Sequence, residues 1–391
     1  MRSIIAALSL LLCACTFGGG GDPGDSEAET MPDEEVVIDR VESQEETFRV
    51  VKLMGELEHA WAVDWLPDGR MLITERPGRM VLVDGDSATT LDGVPEVWAQ
   101  NQGGLLDVRV APNYEETGWI YFSYSMKEGG KGGTVLSRAR LDGTSLVDVE
   151  EVYRQTPFLE PDYHFGSRIV FPGNGMVAVS MGERGQRRER TVEIPTPTSS
   201  VGATVRLNMD GSVPEDNPFV GSEDGLPEVY SYGHRNQQGM AVHPETGAIW
   251  QHEHGPHGGD ELNLIQAGAN YGWSAVSYGD TYSTPHEEIG GTTAPGVTDP
   301  VKYWDPSPAL SGMTFYTGDK FPNWQNDLFM GALAHLSLHR VSLDGTSVSN
   351  DEELIRNQLG RIRDVATGPD GYLYLLTDSP NGGLYRLEPV E

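Results

Sequence analysis

Apolar positions in this chain alternate with polar ones in short runs, and turn residues cut those runs before any helical stripe develops. Four stretches repeat one phrase: LPDGRMLITERPGRMVLVD (66–84), FPGNGMVAVSMGERG (171–185), HPETGAIWQHEHGPHGG (243–259) and GPDGYLYLLTDSPNGGLYRLE (368–388). In each, a Pro or Gly turn is followed by residues that point alternately inward and outward, as in antiparallel strands joined by tight hairpins. With 48 Gly and 25 Pro, no window sustains a 3.6-residue period, so little helix is expected. Repeated short-strand units along one long chain predict an all-β propeller. Residues 48–391 allow about 57 residues per blade at six blades or about 43 at eight, and length alone does not choose. An irregular pair of β-sandwiches is the rival fold, and it would leave the recurrence unexplained.

The N-terminus departs from this pattern. Arg2, the apolar run Ile4 to Leu12 and the small residues after it make a secretory signal, residues 1–14, too short to span a bilayer as a mature helix. Leu12-Cys13-Ala14-Cys15 resembles a bacterial lipobox, which implies an exported lipoprotein, periplasmic or on the cell surface, anchored through Cys15. Cleavage would remove Cys13 and leave no disulfide. Residues 22–47 hold eleven acids and one base and no aromatic residue, so 15–47 reads as an acidic, self-repelling tether ahead of a folded part at 48–391. The net charge of −32 exceeds what the tether supplies, so the folded part is acidic too. Such a surface has no basic patch to displace counterions, which argues against nucleic acid and for cations as partners.

Five motifs carry candidate chemistry. In QGGLLDV, Gln102 precedes two glycines that permit a tight turn, and a solvated Gln on such a turn is the plain reading. In YHFGSRIVF, His164 is a base that titrates near neutral pH, or a structural loop histidine. In SYGHRNQQGMAV, Arg235 suits a carboxylate or a growing oxyanion, beside Asn236, or else an ion pair between blades. In HEHGPHGGDELNLIQAGANYGW, Gly255-Pro256 should force an exposed turn whose carbonyls lack a strand partner, with Glu261 and Tyr271 following. Carbonyls and carboxylates suit Ca²⁺, whereas His252, His254 and His257 in a loop match no recognised zinc spacing. In GRIRDVATGPDG, Arg361 and Arg363 are two apart and share a face of a strand, which asks for an anion between them: a polycarboxylate, a phosphate, or a local acid.

Together and in this order, QGGLLD, HFGSRIVF, GHRNQQG, HGPHGGDELNLI with NYGW, and RIRDVATGPDG resemble the soluble glucose/sorbosone dehydrogenase family, the pyrroloquinoline quinone (PQQ) dependent aldose sugar dehydrogenases. RLNMDGSVPEDNPF (206–219) and SGMTFYTGDKFPNWQNDLFMGAL (311–333) also look like that family, and the resemblance runs from about residue 59 to 389. It implies a six-bladed antiparallel β-propeller with PQQ near the central axis. By the same resemblance His164 is the general base and Arg235 lies beside the reactive quinone oxygen. Asn236 and Gln102 contact the cofactor, and Arg361 and Arg363 hold its carboxylates. The carbonyls of Gly255 and Pro256 bind a calcium that bridges protein and cofactor, and Glu261 and Tyr271 hold a second, structural calcium. The implied reaction oxidises an aldose to its lactone by hydride transfer from C1 to the quinone, passing electrons to an acceptor the sequence leaves open. One departure stands out: the family often carries a lysine in the stretch MGALAHLSLHRV (330–341), where this chain has Ala334 followed by His335. His257 likewise stands where relatives often have Arg. Two other functions fit a propeller: a calcium-dependent hydrolase of the lactonase type, and a non-catalytic surface binding module.

Overall fold

The repeated phrases fold as the hairpins their pattern predicts. In the first, Met71–Glu75 and Arg79–Asp84 pair across a Pro-Gly turn, and in the last Leu373–Thr377 pairs with Gly382–Pro389. The computed structural model describes residues 34–185 and 195–390, with the backbone of Glu29–Thr30. Its strands form six antiparallel sheets of four or five strands, arranged as a six-bladed β-propeller. Among the described residues, helix is limited to Tyr114–Thr117 and a 3-10 turn at Pro322–Trp324.

The innermost strands of blades 1 to 6 are Ala60–Trp65, Leu105–Val110, Gly166–Val170, Gln237–Val242, Leu310–Phe315 and Ile362–Thr367, and each contacts its neighbours around the ring. Crowding at the axis explains two of their glycines. A Cβ on Gly312 would lie 2.0 Å from Asp364 Oδ1, and one on Gly239 would lie 2.0 Å from His252 Nε2. The core lies between blades, where apolar faces of adjacent sheets meet.

The ring is closed by the chain's beginning. Thr47–Leu57 pairs with Gly382–Pro389, so blade 6 takes strands from both ends of the chain. Phe48 at this seam is fully buried, edge-on to Phe321 and Trp324 of blade 5. The expected tether is shorter than residues 15–47. Glu35–Glu42 is a strand paired with Thr47–Leu57, and Glu29–Thr30 pairs with Ser87–Ala88 of blade 1. The acidic side chains of EVVIDRVE hide Ile38 and Val41, which rest on the blade 5–6 core; they are three residues apart, and a register shift between them breaks the two-residue alternation a regular strand would show. Charges on an outermost strand also discourage pairing with other chains. The signal segment and Cys15 lie outside the described residues.

Candidate active site

Arg168, the arginine of HFGSR, is an axial tie. It is 1% exposed, and its guanidinium meets Asp364 at 2.8 Å and Asp107 at 3.5 Å. It also donates to the carbonyls of Gln238 and Arg363 and lies 4.0 Å from the centre of the Trp61 ring. One cation thus joins the inner strands of blades 1, 2, 3, 4 and 6 and pairs with both axial carboxylates, while Arg109 also lies 3.5 Å from Asp107.

His164 sits in the loop that enters that inner strand, with φ of 56°. The loop is held by the buried Arg184, which donates to the carbonyls of Tyr163 at 2.9 Å, Gly132 at 2.7 Å, and Pro161. The main-chain N–H of His164 donates to Gln102 Oε1 at 2.8 Å. Its Nδ1 lies 2.6 Å from the carboxylate of Glu183, itself 1% exposed. Burial and the nearby Arg235 charge hold the imidazole down to about 4, against the opposing pull of Glu183. The ring is therefore neutral at neutral pH. With Nδ1–H directed at Glu183, Nε2 carries the lone pair, the state a general base requires.

Beside this loop, on the axis, is a cavity of about 330 Å³. Its walls include Trp61, Arg76, Gln102, Asn236, Gln238, Arg361 and Arg363. Arg361 and Arg363 do share a face, and an anion does lie between them: Asp378 Oδ2, 3.3 Å from one guanidinium and 3.2 Å from the other. Burial opposes ionisation of Asp378, but Arg363, His59 and Arg361 hold its carboxyl well below the usual range. Burial also pushes Arg363 down to about 10, with Asp378 resisting and Arg361 and Arg168 adding to the fall. Three guanidinium groups facing one carboxylate leave the cavity cationic within an acidic protein. Guanidinium and amide donors around one indole suit a flat, polycarboxylate ligand.

A second, smaller pocket behind it is lined by Arg235, Glu253, Gly255, Glu261 and Tyr271. Here the turn departs from expectation. Gly255 and Pro256 are buried, not exposed, and their carbonyls have partners: Arg235 donates to Gly255 O at 2.7 Å and Tyr282 to Pro256 O at 2.6 Å. Each carbonyl oxygen keeps a second lone pair, so the turn still suits a hard cation. The Tyr271 hydroxyl donates to Leu264 O at 2.6 Å and accepts from Gln266 N–H, which leaves its carbonyl rather than its phenol as a ligand candidate. The carboxyl of Glu261 is pushed well above its ordinary value by burial and by the Glu253 carboxylate. Two buried carboxylates side by side, with main-chain carbonyls at hand, form a donor set for calcium. Arg235 faces this pocket, donating to the Gly255 loop, and its Nε is buried without a hydrogen-bond partner among the described residues. His252 and His254 direct Nε2 at the carbonyls of Ser311 and Leu310. Neither belongs to a metal-sized cluster among the described residues.

Four site residues escape the motif reading: Glu183, Arg76, Gln238 and Asp378. Glu183 and Asp378 lie 19 and 17 residues from the side chains they hold, on neighbouring strand ends, a closeness that only the blade register creates. Arg76 follows a strand in a phrase that reads as a hairpin turn. Ala334 is exposed in the turn after Leu328–Ala332, and its neighbour Leu333 forms part of the cavity wall. Arg76 and Arg361 supply cationic groups to that same wall.

Residues 57–386 match the family model described as Glucose / Sorbosone dehydrogenase. The chain is 43% identical over 355 residues to aldose sugar dehydrogenase YliI of Escherichia coli (strain K12), covering 88% of this chain and 93% of that one. The crystal structure of the soluble aldose sugar dehydrogenase of Escherichia coli in the apo-form matches with a TM-score of 0.83 at 43% identity, covering 88% of this chain and all of the other. The PQQ-bound form of aldose sugar dehydrogenase from Streptomyces coelicolor matches with a TM-score of 0.69 at 26% identity, covering 93% of this chain and 99% of that one. The match spans all six blades and every residue of the cavity, so the chain belongs to the glucose/sorbosone dehydrogenase family.

Proposed function

We propose that this protein is a PQQ-dependent sugar oxidoreductase that, with calcium, oxidises aldose sugars to lactones. The observation that carries this reading is the cationic, tryptophan-lined cavity next to the neutral His164 ring that Glu183 holds. Arg76, Arg361 and Arg363 would hold the cofactor's carboxylates, with Gln102, Asn236 and Gln238 as further donors. When bound, PQQ supplies the two-electron acceptor for the C1 hydride, and calcium at the Gly255 and Pro256 carbonyls supplies Lewis acidity. His164 Nε2 takes the proton of the anomeric hydroxyl, and Glu183 holds the ring in that tautomer and stabilises the imidazolium. Arg235 adds positive charge beside the site. The family relatives named as aldose sugar dehydrogenases support this reading. A lactonase-type hydrolase would need axial carboxylates open to calcium, but Asp107 and Asp364 are already engaged by Arg168 and Arg109. Export and lipidation at Cys15 belong to the same proposal, and no helix of the described residues is long and apolar enough to cross a membrane.

The test is reconstitution. Protein stripped of metal is titrated with PQQ and Ca²⁺ while dye reduction is followed across a panel of aldoses. Saturable, stoichiometric activation is expected. If PQQ causes neither a spectral change nor activity, the cofactor assignment fails.

A further inference from the structure

On blade 5, two histidines and a carboxylate outside both pockets converge. His335 lies in the turn before Ser337–Asp344, His339 lies in that strand, and Glu353 faces His339 from Ser347–Leu354. His335 Nδ1 is 3.2 Å from Glu353 Oε1, His339 Nε2 is 3.9 Å from the same oxygen, and all three atoms lie within 4.8 Å of one another. Both ring nitrogens are buried without a hydrogen-bond partner among the described residues, and His339 is only 5% exposed. A buried nitrogen left in this state is destabilising unless something accepts its lone pair.

The surroundings fix which form that nitrogen takes. His339 Nδ1 is 3.1 Å from Asp351 Oδ1, and Asp351 is held in turn by Trp304 Nε1 at 2.8 Å and Lys302 at 3.2 Å. This carboxylate draws the ring proton to Nδ1 and turns the Nε2 lone pair toward His335 and Glu353, the orientation that outer carboxylates impose on metal-bound histidines. Glu353 Oε1 also accepts from Ser337 at 2.8 Å, and Arg356 holds Oε2 at 3.0 Å. Two imidazoles and one carboxylate are borderline donors, matched to a divalent transition metal rather than to calcium. Bonds of about 2.0–2.2 Å set donors roughly 3.3–3.5 Å apart in a tetrahedral site, within a small adjustment of the separations here.

We propose that His335, His339 and Glu353 bind one divalent transition-metal ion of the Zn²⁺ type, with Asp351 orienting His339. The site is independent of the cofactor reading. Its turn also carries Leu333, whose carbonyl accepts from Arg361 at 3.2 Å, so the ion would sit one turn from the cavity wall.

Untagged full-length protein, kept in saturating Ca²⁺, is titrated with Co²⁺ and followed by visible absorption. One equivalent should produce the ligand-field bands of a four-coordinate site, and Zn²⁺ should bleach them stoichiometrically. His335→Ala and Glu353→Gln should each weaken binding at least about tenfold, and Asp351→Asn by about 10–100-fold, while thermal unfolding confirms that each variant is folded. The other cluster, His257, Asp280 and His286, is more exposed and supplies the control: His257→Ala should change nothing. Loss of the bands in His257→Ala, their survival in Glu353→Gln, or no saturable binding in the parent protein would each overturn the assignment.

Discussion

His164 was readable from its motif, but the group that orients its ring was not, because Glu183 reaches it only through the closed blade. Replacing His164 with Gln keeps a hydrogen-bonding side chain that cannot accept a proton, so turnover should fall by about 10²–10⁴-fold with PQQ binding retained. Near-normal turnover in the folded, loaded variant would remove the histidine from the mechanism. The pH profile follows from the environment rather than from free imidazole. A base held down to about 4 from the ordinary 6.5 stays unprotonated across the neutral range. The acid limb of kcat/KM should therefore fall below 6.5, activity being present above that limb and lost as pH drops through the lowered value. Glu183→Gln removes the one partner that raises the imidazole, so it should move this limb further down and lower the plateau. An acid limb at or above 6.5 in the parent enzyme would contradict the buried, neutral ring. The arginine pair offers the complementary lesson. Its shared face and its need for an anion were visible two residues apart, whereas Asp378, seventeen residues away by chain from Arg361, was not.

Strand Glu35–Glu42 shows where pattern reading gives way to composition. Of the six acids between residues 34 and 46 that read as tether, Glu34, Glu45 and Glu46 find partners far along the chain, the first two of them as ion pairs. Arg340, fully buried, takes Glu45 at 2.9 Å along with Asp327 and Glu352, and Arg386 takes Glu34 at 3.1 Å. Charge density suggested self-repulsion, yet Glu34 and Glu45 each meet a cation that only the folded ring presents. Hairpins and inner strands were legible because their signals are local: a turn dipeptide, then period two. Sheet closure and outer strands were not, since Thr47–Leu57 finds its partner more than three hundred residues later. Truncation tests the boundary. A chain beginning at residue 34 should keep the melting temperature of the longer protein. One beginning at residue 47 loses Ile38, Val41 and the Glu45 pair, and should melt on the order of 5 °C lower, by differential scanning calorimetry. Equal melting of the two would return residues 34–46 to the tether.

Closing six sheets into one ring leaves the whole molecule dependent on how it handles buried charge. At the axis the problem is solved internally, with Arg168 between Asp107 and Asp364. Behind the cavity it is not: Glu253 and Glu261 lie together, joined by Asn263, which donates to both at 3.2 and 3.3 Å. Glu253 also meets His234 Nδ1 at 2.7 Å and the main-chain N–H of Arg235, but among the described residues Glu261 has Asn263 alone, and a cation would offset the like-charge contact. Calcium bound only by the folded ring must stabilise it, by about 2.7 kcal/mol at a hundredfold excess over Kd. Chelation should therefore lower the melting temperature by several degrees, and added Ca²⁺ should restore it. Glu261→Gln separates this from a general salt effect. The variant should lose the response to Ca²⁺ and chelator, while in chelator it should melt at or above the parent, since the amide removes the like-charge contact without vacating the space. A parent protein indifferent to chelator would dismiss the site, and a Glu261→Gln protein still stabilised by Ca²⁺ would move it elsewhere, with the Gly255-Pro256 turn the next place to probe.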